Sequence, residues 1–185
     1  MRSSAERALR RAASGIQGAV EGAARPLVLI DGRSGSGKTT LAALVADALG
    51  DGTQVVALDD IYPGWDGLAD GSETARRDVI EPYAAGRAAT WHRWDWSAHR
   101  TAEAHHVDAA RPLVVEGAGL LTPRSAALAD VRVWLSCPAP VRRRRALARD
   151  GDAYRPFWDR WAAQEETHIA THDPQHLATL VFEVA

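Results

Sequence analysis

The sequence predicts an α/β protein of three layers, α/β/α, with helices on both faces of a mainly parallel sheet. Two observations carry this. Short apolar runs, PLVLI, TQVVAL, LVVE, VRVWLSC and LATLVFEV, alternate with stretches of helical periodicity. None of these runs alternates polar with apolar residues, so each strand expects cover on both faces, as in parallel sheets flanked by helices. Second, DGRSGSGKTT stands between the first run and the helix after it, a glycine-rich turn where a strand hands over to a helix.

The 185 residues suit one domain, 1–185, large enough to bury a core unaided. A net charge of -2 argues against general nucleic-acid affinity, which needs an excess of Lys and Arg. Cys137 is the one cysteine, so neither a disulfide framework nor a thiolate metal cluster is expected. No apolar run is long enough for a signal peptide or membrane span, and a cytoplasmic, membrane-free protein is expected.

Residues 1–24 carry Ala5, Leu9, Ala12, Ile16 and Val20 at helical spacing, with Arg2, Arg7, Arg10 and Arg11 between them. An amphipathic helix follows, one that either packs on the sheet or mediates assembly into a homo-oligomer. PLVLI is the first strand, and LAALVADALG is a helix closed by Gly50. TQVVAL ends on Asp59 and Asp60, and the glycines and proline of IYPGWDGLADGS predict a loop. ETARRDVIEPYAAG reads as a helix disturbed by Pro82. WHRWDWSAHR places three tryptophans beside polar groups and reads either as a core hairpin or as the wall of a ligand pocket. LVVE and VRVWLSC are strands, PAPVRRRRALARD opens a helix, and Arg155 to about Thr171 forms another with Trp158 and Trp161 on one face. His168, His172 and His176 read as surface histidines, since Asp173-Pro174 breaks the helix and no zinc-binding string is present.

GRSGSGKT matches G-x-x-x-x-G-K-[ST], the phosphate-binding P-loop, with a strand before it and a helix after it. Gly32, Arg33, Ser34, Gly35, Ser36, Gly37, Lys38, Thr39 and Thr40 would hold ATP. Inward N–H groups and the helix N-terminus take phosphate oxygens, Lys38 reaches the β and γ phosphates, and the Thr39 hydroxyl takes Mg²⁺. A GTP switch is disfavoured, because no [NT]-K-x-D string occurs.

Phosphoryl transfer to a hydroxyl further needs acids and mobile positive charge. Asp59, Asp60 and Glu116 stand at carboxyl ends of strands, where open α/β sheets bind ligands. An acid there can instead cap a helix. Arg142, Arg145 and Arg149 share one helical face, and residues 142–157 are expected to form a lid over triphosphate, a solvated basic face being the alternative.

These residues resemble the uridine kinase group of P-loop kinases, which includes phosphoribulokinase and bacterial pantothenate kinase. D-D-I-Y, Asp59 to Tyr62, stands for the family's D-S-F-Y, and WDWSAHR for its Y-D-F-x-x-H-S-R. Glu116-Gly117-Ala118-Gly119 is similar to its E-G-I-L, and Arg142, Arg145, Arg149 and Asp150 to its R-x-x-R-R-x-x-R-D. Ala146 replaces one lid arginine, and GDAYRPFWDR replaces E-R-G-R-D. The resemblance implies a P-loop NTPase fold and a small-molecule kinase using ATP and Mg²⁺, with uridine or cytidine as first candidate acceptors. It implies Asp59 as general base and Glu116 near the metal with Thr39. Asp60, Tyr62, Trp94, Asp95, Trp96 and His99 would bind the acceptor. A pantothenate-like alcohol, sugar or antibiotic is the competing acceptor, and a non-catalytic ATP-binding regulatory module the competing class.

Overall fold

A computed structural model describes residues 3–184, with Asp150 described through its backbone alone; Arg2 and the Asp150 side chain lie outside the described residues. Helix α1 (Ser4–Ala19) begins where the Ser3 hydroxyl accepts the Glu6 N–H at 3.1 Å. Strand β1 (Leu27–Asp31) follows, then α2 (Lys38–Leu49), β2 (Gln54–Ala57) and a 3₁₀ turn, Leu58–Asp60. Helix α3 (Leu68–Ala75) runs through a π turn (Arg76–Ile80) into α4 (Glu81–Ala84). The hairpin β3 (Ala89–Asp95) and β4 (Arg100–Val107) precedes β5 (Leu113–Glu116), α5 (Pro123–Ala126) and β6 (Val131–Ser136). The chain closes with α6 (Ala139–Tyr154), a 3₁₀ turn (Arg155–Phe157), α7 (Trp158–His172), α8 (Pro174–Leu177) and β7 (Leu180–Glu183).

Five strands form a parallel sheet in the order β2-β5-β1-β6-β7. Along β1 the side chains divide the core: Leu27 and Leu29 face a layer with α3, the hairpin and α7, while Val28 and Ile30 face α1 and α2. This is the three-layer α/β/α arrangement expected. The chain leaves β1 toward β2 but leaves β5 toward β6, in opposite directions from neighbouring strands. Such a switch point opens a crevice at the strands' carboxyl ends.

Helix α1 packs on the domain itself. Leu9, Ala12, Ala13 and Ile16 lie against Leu41, Ala42 and Val45 of α2, and Gln17 Nε2 donates to the Ala48 carbonyl at 2.7 Å. The tryptophan stretch is a two-stranded antiparallel hairpin outside the main sheet, with Trp91 in the core.

Two local expectations are corrected and one is met. Residues 68–72 are helical, because Gly71 is a packing glycine: a Cβ there would strike the Tyr62 ring. Pro82 disturbs its helix, as expected, without ending it. It lacks an N–H and its ring crowds the preceding turn, and the backbone widens into the π turn just before it. His168 is buried rather than superficial, since α7 turns Trp158, Trp161, Glu165 and His168 inward together. Asp173 ends α7 in the left-handed conformation (φ 44°) ahead of Pro174.

Candidate active site

Two clefts meet at the sheet's carboxyl edge. The first, about 290 Å³, is lined by Ser34, Gly35, Gly37 to Thr40, Asp59, Glu116, Arg145, Ala146 and Arg149. The second, also about 290 Å³, is lined by Ser34, Asp59, Tyr62, Trp65, Trp96, Arg149, Ala153, Tyr154 and Trp161. Ser34, Asp59 and Arg149 belong to both.

The first cleft is the P-loop. Gly35 has φ 80°, and a Cβ there would run into the Arg142 carbonyl, so the loop presses against α6 in a way only glycine permits. Lys38 is largely buried, its Nζ 3.4 Å from the Arg33 carbonyl. Ser36 Oγ is buried with no hydrogen-bond partner. Thr39 Oγ1 donates to Glu116 Oε1 at 2.8 Å. Burial pushes the Glu116 carboxyl above the usual range, nearby Asp59 adding to the effect, while Lys38 and the Thr39 hydroxyl oppose it. Glu116, Thr39 and Asp59 present hard oxygen donors. Among the described residues no group of three His, Cys, Asp or Glu side chains converges. A Mg²⁺ site of one or two protein oxygens completed by phosphate requires no such group, and Thr39 with Glu116 fits it.

The loop is braced from beneath by residues the sequence reading passed over. Asp31, at the end of β1, accepts from the N–H groups of Gly32 (2.6 Å), Gly119 (3.0 Å) and Leu121 (2.7 Å), stapling the P-loop to the loop after β5. His168 Nε2 lies 3.4 Å from Asp31 Oδ2. Glu165 of α7 accepts the Ser34 N–H at 2.6 Å and Arg33 Nε at 2.9 Å. The Arg33 side chain thus turns to α7, where it also pairs with Glu166. No local motif announces Asp31 or Glu165; their partners are remote in sequence.

The arginines divide by depth. Arg142, expected in the lid, is 4% exposed; its guanidinium donates to the carbonyls of Cys137 (3.0 Å) and Ser34 (3.2 Å) and lines neither cleft. Its helix is still against the core at this turn, which makes Arg142 a clamp on the P-loop backbone. Arg145, one turn on, lines the first cleft, and Arg149 lines both with its guanidinium 3.8 Å from Asp59 Oδ2. Gly151 then leaves helical geometry (φ 57°) and kinks the segment.

The second cleft is aromatic. Trp65 stacks on Phe157 (4.6 Å between centroids) and on Tyr154 (5.2 Å), and Trp96 tilts against it at 4.8 Å. Trp96 Nε1 donates to the Asp59 carbonyl at 2.8 Å, tying the hairpin to the turn that carries the acid. Of the expected acceptor residues, Tyr62 and Trp96 line this pocket, while Asp60, Trp94, Asp95 and His99 do not. Asp95 instead caps the hairpin turn, accepting from Ala98 N (2.9 Å) and Ser97 N (3.0 Å), and the Ala98 bond chiefly holds its carboxyl below the usual range. His99 occupies that turn with φ 50°. Asp60 is raised by burial and by Asp59. Trp65, Tyr154 and Trp161 are the lining residues that sequence reasoning missed; the aromatic composition of GWDG and DAYRPFWDRW was the available signal.

No protein-family model matches the sequence, and no curated protein matches it. Among solved structures, a possible uridine kinase from Bacillus stearothermophilus is similar over 96% of this chain and 98% of its own, with a TM-score of 0.69 and 22% identity. A candidate fructose transport system kinase from a Silicibacter species is similar over 94% and 98%, with a TM-score of 0.57 and 20% identity. At these identities the likeness establishes a shared fold, a parallel sheet flanked by helices. No helix among the described residues is long and apolar enough to cross a membrane.

Proposed function

We propose that this chain is an ATP-dependent kinase transferring the γ-phosphate to a hydroxyl of a small, nucleoside-like acceptor, with uridine and cytidine first to be tried. The observation that carries this reading is the junction of the two clefts. A phosphate cradle and a ring-lined pocket share one carboxylate, Asp59, and one guanidinium, Arg149. Regulatory nucleotide binding alone has no use for the second cleft. Both structural neighbours bear kinase names, which supports the same reading.

In this reading the P-loop N–H groups and Lys38 hold the triphosphate in the first cleft. The acceptor enters the second with its hydroxyl at Asp59, which takes the proton as the oxygen attacks. The acceptor O–P bond forms, the bond between the γ-phosphorus and the bridging oxygen breaks, and ADP leaves. Arg145 and Arg149, on the segment proposed as a lid, face the oxygens that gain charge. Mg²⁺, held by Thr39 and Glu116, would offset the charge of the phosphates.

The test is ADP release from Mg²⁺-ATP against uridine, cytidine, other nucleosides, pantothenate and sugars, with Lys38→Ala as the blank. Release stimulated by one acceptor is the expected result. ATP binding with no stimulation by any acceptor would sink the kinase reading in favour of a regulatory module.

A further inference from the structure

Helix α7 meets the P-loop through two buried side chains on one face. Glu165 and His168 stand three residues apart on the helix, so they project side by side. Glu165 takes the Ser34 N–H and the Arg33 guanidinium within the loop. His168 reaches the loop's first turn at one remove. Its Nε2 lies 3.4 Å from Asp31 Oδ2, and Asp31 holds the N–H groups of Gly32, Gly119 and Leu121.

The bonds around Asp31 leave one place for the imidazole. Oδ1 accepts from Gly32 and Gly119 and Oδ2 from Leu121 alone, so the oxygen with capacity to spare is the one beside His168. Asp31 is 1% exposed, and no other side chain pairs with it among the described residues. A buried carboxylate held by backbone N–H groups alone keeps its negative charge beneath a loop shaped to receive phosphate, where it opposes the phosphate's own charge. A void of about 10 Å³ bounded by Asp31, Gly32 and His168 has room for one water at most, so solvent does little to screen the pair. His172 packs against the His168 ring at 5.0 Å between centroids. Nε2 has no hydrogen-bond partner at its present distance, and an approach of about 0.3 Å would bring Asp31 Oδ2 within bonding range.

We propose that His168 is a positioning residue for the phosphate cradle: through Nε2 it holds the Asp31 carboxylate and offsets its buried charge, and so keeps the P-loop and the loop after β5 in the arrangement that receives phosphate. His168 touches no phosphate itself. Its effect on nucleotide affinity rests on the P-loop part of the kinase reading; the tie from His168 through Asp31 to the three N–H groups does not.

The experiment is a double-mutant cycle on the full chain, His168→Phe and Asp31→Asn singly and together, read by Mg²⁺-ADP affinity and by amide hydrogen exchange. His168→Phe should weaken Mg²⁺-ADP about tenfold, the scale of one hydrogen bond to a charged group, and change it less than about twofold in the Asp31→Asn background. His168→Gln, which keeps an N–H at similar reach, should recover most of the loss. Exchange at Gly32, Gly119 and Leu121 should quicken about tenfold in His168→Phe while amides within β1 and β6 hold, which separates a local release from general loosening. An equal loss in both backgrounds, a loss that His168→Gln does not recover, or unchanged exchange at those three amides would overturn the proposal. If His168→Phe does not fold, the parent chain decides alone: a slowly exchanging imidazole N–H signal, lost in His168→Gln, is expected, and its absence is fatal to the proposal. Affinity coupled to His168 without acceptor-stimulated ADP release keeps this inference and breaks the kinase reading. Stimulated release with uncoupled affinity does the reverse, and a parent that binds no Mg²⁺-ADP breaks the kinase reading and leaves amide exchange to decide this one.

Discussion

The phosphate cleft and the aromatic pocket hold similar volumes and share Ser34, Asp59 and Arg149, but they are built in opposite ways. The first cleft takes Ser34, Gly35, Gly37, Lys38 and Thr39 from one continuous stretch, GRSGSGKT, whose glycines leave backbone groups open to a ligand. The aromatic pocket draws single side chains from the turn after β2, the loop before α3, the hairpin tip, the end of α6 and α7. Backbone recognition tolerates little local change, since the loop's course is the site. Side-chain recognition depends on how remote elements pack, so it can be retuned ring by ring.

That contrast can be broken most sharply at the shared carboxylate. Asp59→Asn should lower acceptor-stimulated ADP release by about 10²–10⁴-fold, the usual contribution of a general base, while an ATP titration stays unchanged. Turnover near normal would mean that the clefts do not work together through Asp59.

The brace beneath the P-loop comes next. Glu165→Ala removes the acceptor for Ser34 N–H and the partner of Arg33, and leaves the buried Arg142 with less compensation. Breaking a fully buried pair costs about 3–5 kcal/mol; with Arg33 partly exposed, about 2 kcal/mol is expected in urea unfolding. Glu165→Gln keeps an acceptor and should lose less.

Smaller effects separate the two clefts kinetically. Trp96→Ala should raise the acceptor KM about tenfold, the scale of a lost aromatic contact, and leave the KM for ATP nearly unaltered. Glu116→Gln sharpens the electrostatics of the phosphate side. Burial raises the Glu116 pKa in the folded protein, so its ionised form works against folding once pH rises above the ordinary carboxylate range. The variant should therefore melt higher than the parent at neutral pH, with the gap closing in acid where both side chains are neutral. Activity should fall in the same variant, because the proposed metal contact is weakened. Least of all, Asp95→Ala should alter the acceptor KM by no more than about twofold, since its carboxylate serves the hairpin turn. A large rise would return Asp95 to the pocket.

How far each part could be read ahead follows from the range of its interactions. The P-loop, Asp59 and Glu116 sit in or just after strands, and strand ends of a parallel sheet converge by topology, so their meeting was legible. Arg142, Arg145 and Arg149 share a face by helical periodicity, yet periodicity says nothing of depth. Only the packing of α6 on the P-loop makes the first a buried clamp and leaves the last at the junction of the clefts. Trp94, Asp95 and His99 stand beside Trp96 in sequence, but β3 ends at Asp95, and the tight hairpin turn that follows carries Trp96 alone of the four into the pocket.

By itself, the sequence determined the layered α/β architecture and the glycine-rich turn between β1 and α2, because apolar runs, periodicity and glycine-lysine spacing act over a few residues. The tertiary structure alone decided the aromatic pocket and the buried roles of Asp31, Glu165 and Arg142. Those depend on side chains brought together from as far apart as Asp31 and His168. Such encounters arise only when the helices close on both faces of the sheet.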